Sequence, residues 1–297
     1  MSGMLPAGWR RRFEERASDE RPLAPLTTWR IGGPAELYVE PQNVEELAET
    51  VALLRGAGIP YRVLGGGSNL LVADKGVRGA VVSLSRLSTV RRGEGLLEVE
   101  AGAKLLEVVR IAATAGLSGF ENLAGIPGRV GGAVFGNAGS RFGAIGDLVV
   151  SLDLMEPDGE LRHVVPGPGF FRYRGSDVGE RIVVRALLAG GDADPRLLRA
   201  RVRELVKERR RSQPGWVGNA GCVFKNPKGD AAGRLIDSAG CKGLRSGDAF
   251  VSNRHANFFE NGGKATASDI LRLVDLVRDR VRKAFGVDLE MEVRRWE

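Results

Sequence analysis

The sequence predicts an α+β protein built in two parts, and three observations carry that expectation. Residues 35–64 run strand, helix, strand; a Pro157-Asp158-Gly159 turn joins two apolar runs; and beyond residue 195 short strands mix with long amphipathic helices. The chain of 297 residues is long enough for one large or two modest domains, at roughly 100–200 residues each. Its 43% hydrophobic and 27% charged residues are typical of folded domains and argue against a disordered or fibrous chain.

The first strand is expected over 35–40 and the next over 61–64, around a helix at 44–55. Asn43 can cap that helix with Glu46 as the reciprocal acid. Val44, Leu47, Ala48, Val51 and Leu54 form its apolar stripe, and Gly56 and Gly58 stop it. A strand at 80–84 and the alternating Leu97, Val99 and Ala101 precede a second helix at 104–115, which Gly116 ends. Strands then dominate, at 149–155, 161–165 and 181–189. Asp194-Pro195 reads as the cap and first residue of an Arg-rich helix, and the boundary between domains 1–194 and 195–297 is placed there. The second domain is expected to hold a helix at 231–239, strands near 249–252 and 257–260, and a long helix at 268–285. A final strand at 287–294 would point Val287, Leu289, Met291 and Val293 to one face.

Composition excludes several classes of protein. No stretch reaches the ~18 uncharged apolar residues of a membrane span. The first 21 residues interleave arginines with acids and lack the apolar core of a secretory signal, so a cytoplasmic protein without membrane insertion is expected. Two cysteines and two histidines supply neither a disulfide framework nor a metal set. The net charge of +7 permits an anionic partner without identifying it. In the densest basic run, 196–211, Leu198, Val202, Leu205 and Val206 fall at helical spacing, which leaves the arginines on a solvated face.

Glycine is the outlier, 42 of 297 against a usual ~7%, and the excess clusters. Gly65-Gly66-Gly67-Ser68-Asn69 follows a strand directly. Three glycines let backbone N–H groups converge on an oxyanion, while Ser68 and Asn69 add donors. Taken alone, the segment divides evenly between a phosphate cradle and a permissive turn. Leu70 stands where the dinucleotide fingerprint needs its third glycine, and the Gly-Lys-Ser/Thr of a P-loop is missing. A second segment, 125–139, holds Gly125, Ile126, Pro127, Gly128, Gly131, Gly132, Ala133, Asn137, Ala138 and Gly139. Glycines interrupted by apolar residues describe a loop whose backbone lies against a flat ligand, since a solvated loop would be more polar. Two such systems imply a long ligand with phosphate and ring contacts.

At this point the phrases TTWRIGGPAE, VLGGGSNLLV, GIPGRVGGAVFGNAG, YRGSD, AGCVFKNP, LIDSAGCKG, VSNRHANF and LEMEVR, in this order, resemble the UDP-N-acetylenolpyruvoylglucosamine reductase family, in its shorter branch. The resemblance implies a two-lobed FAD-binding domain of the vanillyl-alcohol-oxidase-like type and a smaller α+β substrate-binding domain. It implies a cytoplasmic enzyme of peptidoglycan synthesis, expected as a monomer, that uses NADPH to reduce UDP-N-acetylglucosamine enolpyruvate to UDP-N-acetylmuramate. Carried over residue by residue, the resemblance gives FAD the glycine segments just named, with Arg30 and Ile31 less securely. It makes Arg174 the stabiliser of the enolate and Glu292 part of the catalytic set. Tyr173, Lys225 and Asn226 would meet the substrate or nicotinamide nucleotide, and His255 with Asn257 resembles a motif of the last domain, where a structural, hydrogen-bonded role is expected for His255.

The chain departs from the family where serine commonly acts as proton donor, because Cys222 stands there. A free thiol titrates near ~8.5 and is a better acid than a hydroxyl, but its thiolate cannot donate. Activity is therefore expected to fall at alkaline pH. Cys241 is expected to be a small buried hydrophobe. Two rival readings are a flavoenzyme of the same fold with another substrate and a nucleic-acid-binding module. Against the second, only 6% of residues are aromatic and no basic strip interleaves with stacking residues.

Overall fold

The computed structural model describes residues 9, 13–215 and 217–297. The segment expected to carry no secretory signal lies largely outside these residues. Backbone contacts divide the chain into two compact units. The first comprises Met1–Asp19, Glu36–Gly66 and Gly79–Lys207, and the second Glu20–Ala35, Gly67–Arg78 and Glu208–Glu297.

In the first unit, helix α1 spans Val44–Gly56. Asn43 caps it as expected, its Oδ1 accepting from the Glu46 N–H at 2.8 Å. The reciprocal bond goes elsewhere. The Glu46 carboxylate accepts from the Gln42 N–H at 3.0 Å and from Arg16 at 2.6 Å. Burial by itself would raise the Glu46 pKa, but the bonds to Arg16 and Gln42 outweigh it and pull the carboxyl below its ordinary value. Strands Ala17–Pro22, Pro34–Val39, Val77–Ser83 and Tyr61–Leu64 form a sheet in that order, with the last two parallel.

Helix α2, Leu105–Ala115, ends at Gly116 with φ 80°, the left-handed cap that glycine reaches without a steric penalty. A five-stranded sheet follows the order Leu161–Val164, Val149–Met155, Ile182–Ala189, Leu96–Glu100, Val90–Arg92. Its hairpin closes over Asp158-Gly159 as the sequence predicts, with Met155 opposite Leu161. One core runs through the unit, from Leu37 and Val51 to Leu97, Val109, Val130, Leu152 and Val184.

The second glycine segment is not a loop throughout. Val130–Phe135 is a short helix, α3, with Val130, Gly131, Ala133 and Val134 buried. Apolar side chains spaced so as to enter the core favour one helical turn over an irregular loop. Gly131 then becomes necessary, because a Cβ there would stand 2.8 Å from that of Ala101.

Helix α4, Pro195–Ser212, starts where Asp194 Oδ1 accepts from the Arg196 N–H at 2.7 Å. It buries Leu198, Val202 and Leu205, so its arginines take the solvated face. The second unit contains helix α5, Ala232–Ser238, and helix α6, Ala267–Phe285. A three-stranded sheet runs Arg245–Ser246, Ala249–Val251, Phe259–Asn261. Its core joins Phe224, Leu235, Ile236, Phe259, Ile270 and Val277 to Trp29, Ile31 and Leu71 from the two inserted segments. The Trp29 indole donates to the Phe259 carbonyl at 2.8 Å.

The final strand differs from expectation. Leu289 and Val293 are buried, and their neighbours face outward, so the alternation is real. Only Met291 pairs, in an isolated bridge to Phe224, and the ladder begins at Arg294–Trp296, parallel to Leu70–Val72. Alternation requires an extended backbone with one buried face, which one short hydrogen-bonded neighbour satisfies without a sheet. Similarly, the strand expected at 257–260 pairs only over Phe259–Asn261, because the Asn257 carbonyl accepts from the Val223 N–H and the Phe258 N–H turns back to the His255 carbonyl.

Candidate active site

The two glycine segments meet within the first unit. A Cβ added to Gly66 would lie 2.8 Å from Gly128 Cα, and one on Gly65 would lie 3.9 Å from the Gly132 nitrogen. Gly125 and Gly128 take φ 77° and 117°. Gly139 has no room, since its Cβ would stand 2.7 Å from both Ala144 Cβ and the Gly143 carbonyl oxygen. Gly66 and Gly139 are thus required by the protein's own packing, and Gly125 and Gly128 by their backbone conformation.

Gly132 is different. It is the exposed member of an otherwise mostly buried helix, and a Cβ there would meet nothing within 4 Å. Among the described residues, no contact requires glycine at this helical position, where alanine is preferred by roughly 0.5–1 kcal/mol. Open space beside Gly65 and Gly132, with Ala133 next to them, is a cradle that a β-carbon would fill, and it fits close approach by the phosphates or ring edge of FAD. Accordingly, Gly132→Ala is expected to fold with equal or greater stability and to weaken FAD retention by at least about tenfold, whereas Gly66→Ala loses stability. Thermal melts and flavin content of the purified variants measure both effects; full flavin retention in Gly132→Ala would count against the cradle.

The rest of the 125–139 segment is held by polar contacts. Arg129 donates to the Ser85 carbonyl at 3.4 Å and to that of Gly102. Its half-burial pushes the guanidinium pKa down. Asn137 sits at φ 44°, a conformation asparagine tolerates. Its Nδ2 donates to the Arg172 carbonyl at 3.0 Å, and its Oδ1 accepts from the Gly146 N–H at 3.0 Å. Ile126 and Ala138 pack against the core, while Pro127 is exposed.

Asn137 therefore buttresses the turn that carries Arg174. Phe171–Arg172 and Gly175–Ser176 pair as a hairpin, and Tyr173-Arg174 is its two-residue tip. Arg174 has φ 57°, where an L side chain is strained and Gly or Asn is usual. Its guanidinium donates to the Gly139 carbonyl at 3.3 Å and lies 5.1 Å from the centre of the Tyr173 ring, which is itself 58% exposed. A cation is thus set against the end of the second glycine segment.

In the second unit, Gly67 takes φ 60°, and a Cβ there would overlap the Leu26 carbonyl oxygen at 2.2 Å. Ser68 is half-buried. The Asn69 side chain turns to protein, its Nδ2 donating to the Glu292 carbonyl at 3.2 Å, while the Asn69 backbone carbonyl accepts from the Arg294 N–H at 3.1 Å. Arg30, at φ 60°, donates to the Pro25 carbonyl at 2.7 Å, and Ile31 is in the core.

Cys222, half-buried, lies in an extended segment bridged to Phe258. On its other edge this segment meets the C-terminal stretch, where the Glu292 N–H donates to the Val223 carbonyl at 2.8 Å and the Lys225 N–H to the Glu290 carbonyl at 2.9 Å. The structure thus brings the elements bearing Cys222 and Glu292 side by side. Lys225 Nζ pairs with Glu290 at 2.5 Å. Asn226 Oδ1 accepts from the Ala232 N–H at 3.0 Å, at the start of α5.

His255 has the structural setting expected. Its Nδ1 accepts from the Asn257 N–H at 3.3 Å, and its ring packs edge-on to Phe258 at 4.8 Å. Burial pushes its pKa below 6.5, and Lys242 adds to the shift. The unfolded chain then takes up this proton first, so the His255 contribution to stability is intact above about pH 6.5 and is lost as pH falls from there toward the folded-state value. Urea midpoints at about pH 7.5 and 5.5 should drop for the parent chain and drop less for His255→Gln. Cys241, fully buried, has its thiol pKa raised by burial, as suits a core residue.

Sequence reasoning missed the positioning amides. Asn69 and Asn137 appeared as cofactor contacts, and Asn257 only as part of a motif, because a side-chain amide gives no periodic signal of its partner. Among the described residues, no group of acids, histidines and cysteines could hold a metal, and no helix is long and apolar enough to cross a membrane.

The α+β fold is that of a flavoprotein, since residues 35–164 match the FAD binding domain family. Residues 213–296 match a second family, the C-terminal domain of UDP-N-acetylenolpyruvoylglucosamine reductase. The chain is 43% identical to the UDP-N-acetylenolpyruvoylglucosamine reductase of Moorella thermoacetica over 93% of its length and 91% of that protein's. It is 42% identical to that of Rubrobacter xylanophilus over 97% of both chains. A crystal structure of the UDP-N-acetylenolpyruvylglucosamine reductase from Thermus caldophilus superposes with a TM-score of 0.81 at 40% identity, covering 95% of this chain and 98% of that one. The chain belongs to the UDP-N-acetylenolpyruvoylglucosamine reductase family.

Proposed function

We propose that this protein reduces the enolpyruvyl double bond of UDP-N-acetylglucosamine enolpyruvate with NADPH, yielding UDP-N-acetylmuramate for peptidoglycan synthesis. The observation that carries the reading is the pairing of an FAD binding domain over 35–164 with the reductase-specific C-terminal domain over 213–296. FAD, when bound, carries the hydride from NADPH to the substrate.

Gly65, Gly66, Gly67, Ser68, Asn69 and the 125–139 segment would hold the dinucleotide. Hydride arriving at the terminal methylene carbon leaves an electron pair on the neighbouring carbon, delocalised into its carboxylate. Arg174 holds that negative charge, with the guanidinium already fixed by its turn and the Gly139 carbonyl. Cys222 gives its Sγ proton to the carbon, and Glu292 manages the proton on the intermediate. Lys225 exchanges Glu290 for a phosphate of substrate or nucleotide, Asn226 assists it, and Tyr173 shapes the pocket. Residues 1–194 form the cofactor-binding domain, which also lends Tyr173 and Arg174 to the substrate, and 195–297 form the substrate-binding domain. NADPH and substrate use the flavin in turn, so ping-pong kinetics follow. The protein works in the cytoplasm as a monomer, without nucleic acid.

The deciding experiment is an anaerobic flavin spectrum. Protein reduced with NADPH and mixed with UDP-N-acetylglucosamine enolpyruvate should regain its oxidised band rapidly. Flavin that stays reduced would assign the fold to another substrate, and protein without flavin would remove the cradle reading.

A further inference from the structure

We propose that Asn257 is a positioning residue for the reaction: it fixes the register of the extended segment carrying Cys222, and with it the direction in which the thiol presents its proton. The inference rests on the reading of Cys222 as proton donor. Its basis is a peculiarity of residues 222–225. Val223 and Phe224 are 0% and 1% exposed, so their peptide groups are shielded from water and need partners within the protein. Yet the segment belongs to no sheet, and its pairing is reduced to the isolated bridges Cys222–Phe258 and Phe224–Met291.

Asn257 supplies what a neighbouring strand would. Its Oδ1 accepts from the Phe224 N–H at 2.9 Å, and its Nδ2 donates to the Phe224 carbonyl at 2.8 Å. Its backbone carbonyl accepts from the Val223 N–H at 2.8 Å. One residue thus takes three main-chain groups immediately after Cys222, and it is itself only 2% exposed, so water cannot replace it. The opposite edge is held by the Glu292 N–H on the Val223 carbonyl at 2.8 Å. Asn257, the 222–225 segment and the Glu292 stretch therefore lie in one hydrogen-bonded row, and Asn257 closes its inner side.

The chemistry needs an amide. Aspartate can accept from the Phe224 N–H but cannot donate to the carbonyl, and an aliphatic residue does neither. Because proton delivery to carbon depends on alignment, a displacement near 1 Å costs on the order of 10²-fold in rate. NADPH oxidation at the flavin requires no proton from Cys222 and should be insensitive.

The test is anaerobic stopped-flow kinetics on FAD-loaded Asn257→Asp and Asn257→Ser. Serine is the second variant because its hydroxyl retains one donor. Flavin reduction by NADPH should stay within about twofold of the parent rate, and reoxidation by UDP-N-acetylglucosamine enolpyruvate should slow by about 10–10²-fold, more in Asp than in Ser. In a Cys222→Ala background the same changes should add little, because a residue acting through Cys222 loses its effect with the thiol. Undiminished reoxidation in both variants would overturn the inference. So would a full additional slowing in the Cys222→Ala background, which is the mark of a merely structural role. If the parent protein itself is not reoxidised by this substrate, the assigned reaction falls and the inference with it.

Discussion

Replacing Cys222 by alanine is expected to slow flavin reoxidation by the enolpyruvyl substrate by about 10²–10⁴-fold, the usual worth of a positioned general acid, while flavin reduction by NADPH continues. Cys222 is half-buried and its segment is pinned on both edges, by Phe258 and by the stretch that ends in Glu292. The backbone that carries the thiol is therefore held in place, and alanine deletes the donor without a change of backbone. Cys222→Ser separates acidity from position. A free thiol ionises near ~8.5 and a serine hydroxyl does not titrate in the working range. The parent enzyme should lose activity on the alkaline side, and the serine variant should keep a lower but flatter profile. Rapid-mixing traces across pH measure this. A Cys222→Ala variant with undiminished reoxidation would assign the proton to water.

Arg174 carries the second large effect, and it has two parts. Loss of the guanidinium should lower turnover by about 10²–10³-fold, as removal of an oxyanion-stabilising donor does elsewhere. Arg174→Lys should recover only part of this, because a compact ammonium lacks the planar fork that matches a carboxylate. The stability effect has the opposite sign. At φ 57° an L residue without a short polar side chain is strained by on the order of 1–3 kcal/mol, and glycine is not. Arg174→Gly should therefore be about 1 kcal/mol more stable than Arg174→Ala, although both lose the guanidinium and the turnover that depends on it. Equal denaturant midpoints for the two variants would mean that the turn relaxes and stores no strain. A cation kept in a backbone conformation that its own L side chain disfavours is what a functional site looks like when activity and stability compete.

The sequence by itself determined the α+β class, helices α1, α2, α4 and α6 to within a residue or two, the hairpin over Asp158-Gly159, and the family. These rest on local rules: caps, glycine stops and apolar periodicity act over a few residues and survive any tertiary arrangement. Only the tertiary structure decided that Trp29, Ile31 and Leu71 complete the core of the second unit, because burial against residues some two hundred positions away leaves no local pattern. It decided too that part of the second glycine segment coils into α3, since whether apolar residues enter a core depends on what packs above them. The same holds for the glycines. Their number was legible, but Gly66 and Gly131 answer to neighbouring backbone or side chain and Gly132 to open space, a distinction set by distances. Asn69, Asn137 and Asn257 show the limit most plainly. Each amide carries a donor and an acceptor that can bond anywhere within reach, so its partner is fixed by where the folded chain brings a peptide group and not by any spacing in the sequence.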